Sequence, residues 1–167
     1  VARCCGGLHV SRELYNDGTP QGYMVMEVDG DRVEWYYKTV GHDRSHQMNV
    51  YSPVRNGTEF VKVNVWNWSA DYWTTPEWWE NGKKVATFEQ HREEDLDAIE
   101  INKSVAHLAA KADPSICWTS SKGKVHDYTK PNKSRYMFRI KPSEGVRSGE
   151  IRVTDNFGVT YVEKVEW

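Results

Sequence analysis

Cysteine is scarce in this chain: three in 167 residues, with Cys4 and Cys5 adjacent and Cys117 far along the sequence. Bridging neighbours strains the peptide between them, so at most one ordinary disulfide forms and an odd thiol is left over, which excludes a disulfide-stapled scaffold. Long apolar runs are missing as well. No stretch approaches the roughly 20 residues that a membrane-crossing helix needs, and no charged-then-apolar leader precedes Val1. Charge is nearly balanced, 22 Lys and Arg against 24 Asp and Glu for a net of −2, so no field draws the chain to nucleic acid or to an anionic surface. There is no initiating Met; the expectation is a part of a longer polypeptide, with any targeting signal upstream. One domain with a proper core suits this length.

What the chain does have is aromatic surface: 13% of residues, with eight Trp and nine Tyr against four Phe. Trp and Tyr join a large apolar body to a polar handle, which suits sheet cores and also interfaces. Trp66, Trp68, Tyr72, Trp73, Trp78 and Trp79 crowd one region. Strand alternation places Trp66 and Trp68 on one face and Trp78 and Trp79 on opposite faces, so at least one indole lies near the surface. Core packing is the plain reading of these six; contact with another domain or with a sugar ring is the functional one.

Short strands dominate the pattern. Residues 22–28 and 32–37 flank Asp29-Gly30-Asp31 and predict a hairpin; residues 72–79 and 84–90 flank Asn81-Gly82 and predict another. Pro76 in the first arm of the second makes that arm an edge or a bulge. Residues 47–51 form a short strand candidate, and 60–66 alternate with Val61, Val63 and Val65 inward, as a half-buried strand does. Val105, Leu108, Ala109 and Ala112 recur at helical spacing, giving a helix of about three turns in an insertion spanning about 93–113, before Asp113-Pro114. Residues 119–133 read as a mobile loop, and residues 135–141, 150–154 and 159–167 return to strand patterns. The expectation is an all-β antiparallel sandwich, immunoglobulin-like, fibronectin-like or Greek-key, over 17–167, with an irregular entry segment over 1–16.

Catalytic constellations are thin. No Gly-x-Ser-x-Gly elbow and no Gly-x-x-x-x-Gly-Lys phosphate cradle occur. Cys117 between Ile116 and Trp118 reads as a buried small hydrophobe. The acids from Glu93 to Asp97 suit a solvated helix entry, where they complement the helix dipole, better than a glycosidase pair. The sharpest metal candidate is His42, Asp43 and His46, two imidazoles and a carboxylate that fall short of a closed site; a solvated loop is the alternative.

The run Asn16-Asp17-Gly18-Thr19-Pro20-Gln21-Gly22-Tyr23 is a shaped corner leading into a strand: acids and amides cap backbone N–H groups, Gly18 and Gly22 are free to take positive φ, and Pro20 fixes its own. Its expected task is to set the first hairpin, with Tyr23 anchoring it to the core. With Tyr37-Lys38, Gln47-Met48, Asn64-Val65-Trp66 and Val153-Thr154-Asp155-Asn156-Phe157-Gly158-Val159-Thr160-Tyr161, this run resembles the C-terminal domain of bacterial calcineurin-like phosphoesterases, in order from about Cys5 to Val165. The resemblance implies an accessory domain without cofactor of its own, partnered by a catalytic domain of the same polypeptide that carries divalent metals and hydrolyses phosphate esters in the bacterial envelope, periplasmic or secreted. A glycan or a phosphorylated substrate is the further partner considered. The metal motifs of such enzymes, Asp-x-His, Gly-Asp-x-x-Asp-Arg, Gly-Asn-His and Gly-His-x-His, do not occur in this chain.

Overall fold

A computed structural model describes residues 10–11 and 13–167. Cys4, Cys5 and most of the expected entry segment therefore lie outside the described residues. The end of that segment is regular: β1 (Val10–Ser11) pairs antiparallel with β2 (Leu14–Tyr15). Next comes the expected hairpin, β3 (Gly22–Asp29) and β4 (Arg32–Thr39), turned at Gly30 and Asp31. Gly30 takes the left-handed φ of 59° that so tight a connection demands.

The body follows as β5 (Met48–Tyr51), the one-turn helix α1 (Pro53–Asn56), β6 (Val61–Val65), β7 (Glu77–Glu80), β8 (Lys83–Thr87) and β9 (Glu89–Gln90). An insertion carries β10 (Glu93–Glu94), α2 (Leu96–Ala110), β11 (Cys117–Thr119), β12 (Val125–Asp127) and β13 (Lys133–Ser134), and the chain closes with β14 (Met137–Ile140), β15 (Ser148–Thr154) and β16 (Thr160–Glu166). Two four-stranded sheets result, ordered β5-β6-β14-β9 and β16-β15-β7-β8, with every pairing antiparallel. If the eight strands are lettered A, B, C, C′, D, E, F and G in chain order, the sheets read A-B-E-D and G-F-C-C′. That is the immunoglobulin-type arrangement.

Apolar side chains from both sheets meet between them. Met48, Val61, Val63, Val65 and Phe138 come from one, Trp78, Ile151, Val153 and Tyr161 from the other, and Phe88 sits where the chain crosses between sheets. Trp78 is fully buried and its Nε1 donates to Glu80 Oε1 at 2.6 Å, so the indole enters the core with its one donor satisfied.

Several expectations shift against this frame. Pro76 precedes β7 instead of lying within it, and β7 is a central strand with a register irregularity between Trp78 and Trp79; the bulge is present, the edge position is not. The helix is longer than three turns, 15 residues, because Asp95 caps it at Leu96 while Glu93 and Glu94 pair with β13. Residues 119–133 are no loop throughout: β12 pairs with β11, and Trp118 stacks on His126 at 4.3 Å. Three-residue strands are too short for alternation to reveal them. Finally, β6 is buried on both faces at Asn64, because the start of the insertion covers its outer side.

Candidate functional site

The corner that opens the domain is held by backbone and side-chain hydrogen bonds together. Asp17 Oδ1 accepts from Thr19 N at 3.1 Å, Tyr15 N donates to Thr19 O at 2.8 Å, and Gly18 N donates to Tyr15 O at 2.9 Å. Gly18 has φ 81°, and a Cβ there would fall 2.0 Å from the Asp95 carboxyl carbon, so both torsion and space demand glycine. Tyr23 does not anchor the corner. It lies on the face of the hairpin opposite Gly22, 47% exposed. Tyr37, the diagonal neighbour of Gly22 across the strand pair, takes that role: it is buried against Gly22, and its hydroxyl donates to Pro20 O at 2.6 Å.

Beneath the corner lies a buried polar knot. Asp95 accepts from Tyr51 Oη and Asn64 Nδ2, each at 2.8 Å, and from Ala98 N at 3.1 Å as the cap of α2; Asn64 Nδ2 also donates to Asp17 O at 2.9 Å. Burial raises the Asp95 pKa above the usual carboxylate range, against the lowering effect of these donors. Burial, with the charge of Asp95, drives the Tyr51 phenol well above its ordinary value. Four segments, the corner, β5, β6 and the insertion, are thus tied at one carboxylate. The acids near the helix entry are therefore not all solvated, since Asp95 is fully buried.

The His42 and His46 rings stack 4.2 Å apart, and His46 meets Trp66 edge-on at 4.8 Å. Burial, then the neighbouring His42, lowers the His46 pKa. Asp43 is turned away, accepting from Ser45 N at 3.0 Å and from the Ser45 hydroxyl. These imidazoles, with Pro20, Gln21, Asn49 and Asp97, border a cavity of about 460 Å³ beside the corner. Among the described residues no group of three or more His, Cys, Asp or Glu is placed to hold a metal ion.

The six aromatic candidates are dispersed. Trp66 is buried, and its Nε1 has no hydrogen-bond partner among the described residues. It does not share a face with Trp68, because Asn67 between them has φ 60° and breaks the strand alternation. Trp68 packs edge-on against Phe138 at 5.0 Å and donates to Thr74 O at 2.9 Å. Trp79 lies on the outer face of its sheet under the Arg152 guanidinium, 3.9 Å away. Only Tyr72 and Trp73 come together, in a cleft that the hairpin completes with Trp35, Tyr36 and Tyr37.

The hairpin itself carries the largest feature that the sequence reading passed over. Its register places Met24, Met26, Val28, Val33 and Trp35 on one face, since cross-strand partners Met26 and Trp35, and Val28 and Val33, point the same way. All five are exposed, Met26 and Val28 to about two thirds. Trp35 meets Phe157 edge-on at 4.7 Å, and Arg44 leans on Tyr36 from the opposite strand face at 4.2 Å. Alternation within residues 22–28 and 32–37 would have exposed this stripe had the two arms been read together.

The fold is that of an immunoglobulin-type β-domain. The chain belongs to the family described as the C terminal of calcineurin-like phosphoesterase, whose model matches residues 5–161. It is accordingly a domain that belongs with the catalytic domain of such an enzyme. No curated protein and no solved structure matches the chain.

Proposed function

We propose that this chain is a non-catalytic accessory domain that packs on the catalytic domain of the same polypeptide through the apolar face of the β3–β4 hairpin. One observation carries the reading: five apolar side chains, Met24, Met26, Val28, Val33 and Trp35, exposed on one face of a two-stranded hairpin. Such a stripe costs solubility when left in water and marks an interaction surface. Membership of a C-terminal domain family supports the covalently attached neighbour as the occupant. In this reading the parent enzyme hydrolyses phosphate esters in the bacterial envelope. Its divalent metals would sit in the catalytic domain and would supply Lewis-acid activation of a water there; the hairpin forms one wall beside a phosphorylated substrate.

Met26→Lys combined with Val28→Lys tests this in the full-length enzyme. The isolated domain should keep its stability to within about 0.5 kcal/mol, as exposed positions allow, while limited proteolysis between the two domains accelerates. Unchanged proteolysis in the double variant would count against the hairpin as the contact.

A second reading, a carbohydrate-binding module, is favoured by the cleft that holds Tyr72 and Trp73, which no charged residue lines.

A further inference from the structure

We propose that the cleft between the β3–β4 hairpin and the loop at residues 67–73 binds a single neutral pyranose ring. The inference rests on the carbohydrate reading, and it shares Met24 and Trp35 with the docking face, so sugar binding is read on the chain free of the catalytic domain. Its walls are aromatic, from Trp35, Tyr36 and Tyr37 on the hairpin and Tyr72 and Trp73 on the loop. Two of these walls are held in place: Trp73 stacks on Tyr161 with centroids 5.7 Å apart, and Trp35 meets Phe157 edge-on. Tyr72 is 68% exposed and offers the free ring. A pyranose presents an apolar C–H face that a flat aromatic ring covers and a rim of hydroxyls that carboxamides bond, so the complement it needs is aromatic at the wall and amide at the edge.

Asn67 supplies the amide. It lines the cleft, and its Nδ2 is a buried donor with no hydrogen-bond partner among the described residues, which a rotation of the side chain would bring to a sugar hydroxyl. Its φ of 60° is left-handed, a region in which Asn is enriched among the residues other than glycine. Asn156 and Ser69 complete the polar rim.

Charge and size select the ligand class. No cation lines the cleft, so nothing there compensates a phosphate or carboxylate that gives up its water. The cavity is about 240 Å³, below the roughly 300 Å³ at which drug-sized pockets begin. That volume matches one ring and is too short for the extended groove that a proline-rich peptide occupies.

Saturation-transfer NMR on the 167-residue chain tests the assignment, using methyl glucoside, methyl galactoside, methyl mannoside and N-acetylglucosamine as probes. At least one should bind with a dissociation constant on the order of 1 mM. Tyr72→Ala and Asn67→Gly should each weaken it about tenfold, the latter retaining the left-handed backbone while removing the carboxamide. Glucose 6-phosphate should bind no tighter than glucose. The inference is overturned by no transfer to any of the four at concentrations on the order of 10 mM, by transfer that both variants leave unchanged, by preference for the phosphorylated sugar, or by a proline-rich peptide binding where sugars do not. Met26→Lys with Val28→Lys lies outside the cleft and leaves sugar binding intact, so a failure of docking and a failure of sugar binding are separate results.

Discussion

Gly18 and Asp95 meet where a methyl group has no room, and the contact makes two predictions at the scale of single residues. Gly18→Ala meets both a left-handed φ and the Asp95 carboxyl, and should lower the unfolding free energy by about 3 kcal/mol or more. Gly30→Ala, with φ 59° but open space around it, should cost only about 1–2 kcal/mol, so urea titrations of the two separate torsion from collision. Asp95 gives a pH signature. Its folded pKa is raised, chiefly by burial, so the stability it contributes is fully present below the unfolded value near 3.9 and is lost as pH rises through the folded one. The stability gap between the wild type and Asp95→Asn should therefore be widest at acid pH and narrow toward neutrality; a gap that widens with pH would contradict the assignment. Asp95→Ala also removes the cap of α2 and strands the donors of Tyr51 and Asn64, and should be the more damaging change at every pH. The corner was legible from its turn residues alone. Asp95 was not: a carboxylate in a run of acids carries no mark of the segment that will bury it.

At the scale of elements, the turn between β15 and β16 explains why Thr154-Asp155-Asn156-Phe157-Gly158 has the composition it does. Asp155 Oδ1 accepts from Phe157 N at 2.8 Å and Val159 N at 3.0 Å, and Oδ2 accepts from Tyr161 Oη at 2.9 Å. The Tyr161 phenol is pushed up to about 12, first by burial. Asp155→Ala strands three donors and should cost about 2–3 kcal/mol, whereas Tyr161→Phe removes the bond to Asp155 and should cost about 1 kcal/mol, both read from denaturant unfolding. The hairpins at Gly30 and Asn81-Gly82 were legible because turn chemistry and alternation agree there. The β11–β12 pair was hidden in polar residues and lacks the length that makes a period visible. The Trp66 and Trp68 faces were misjudged because one left-handed residue, Asn67, resets the alternation, and nothing in an Asn-Trp sequence announces its φ.

At the scale of the molecule, the sandwich was readable from the number and spacing of short strands, while the strand order depends on pairings across the insertion. Contact surfaces were the least legible. Trp clusters drew attention to the core, whereas the exposed stripe consists of Met and Val that only the hairpin register brings together. In the proposed reading all phosphoester chemistry belongs to the catalytic domain. The purified 167-residue chain with added Mn²⁺ should therefore hydrolyse p-nitrophenyl phosphate no faster than buffer. The most direct measurement is calorimetric titration of this chain into the separately produced catalytic domain of its own polypeptide. Saturable binding that Met26→Lys with Val28→Lys abolishes is the expected result; no heat of binding, or binding that the double variant retains, would contradict docking through the hairpin.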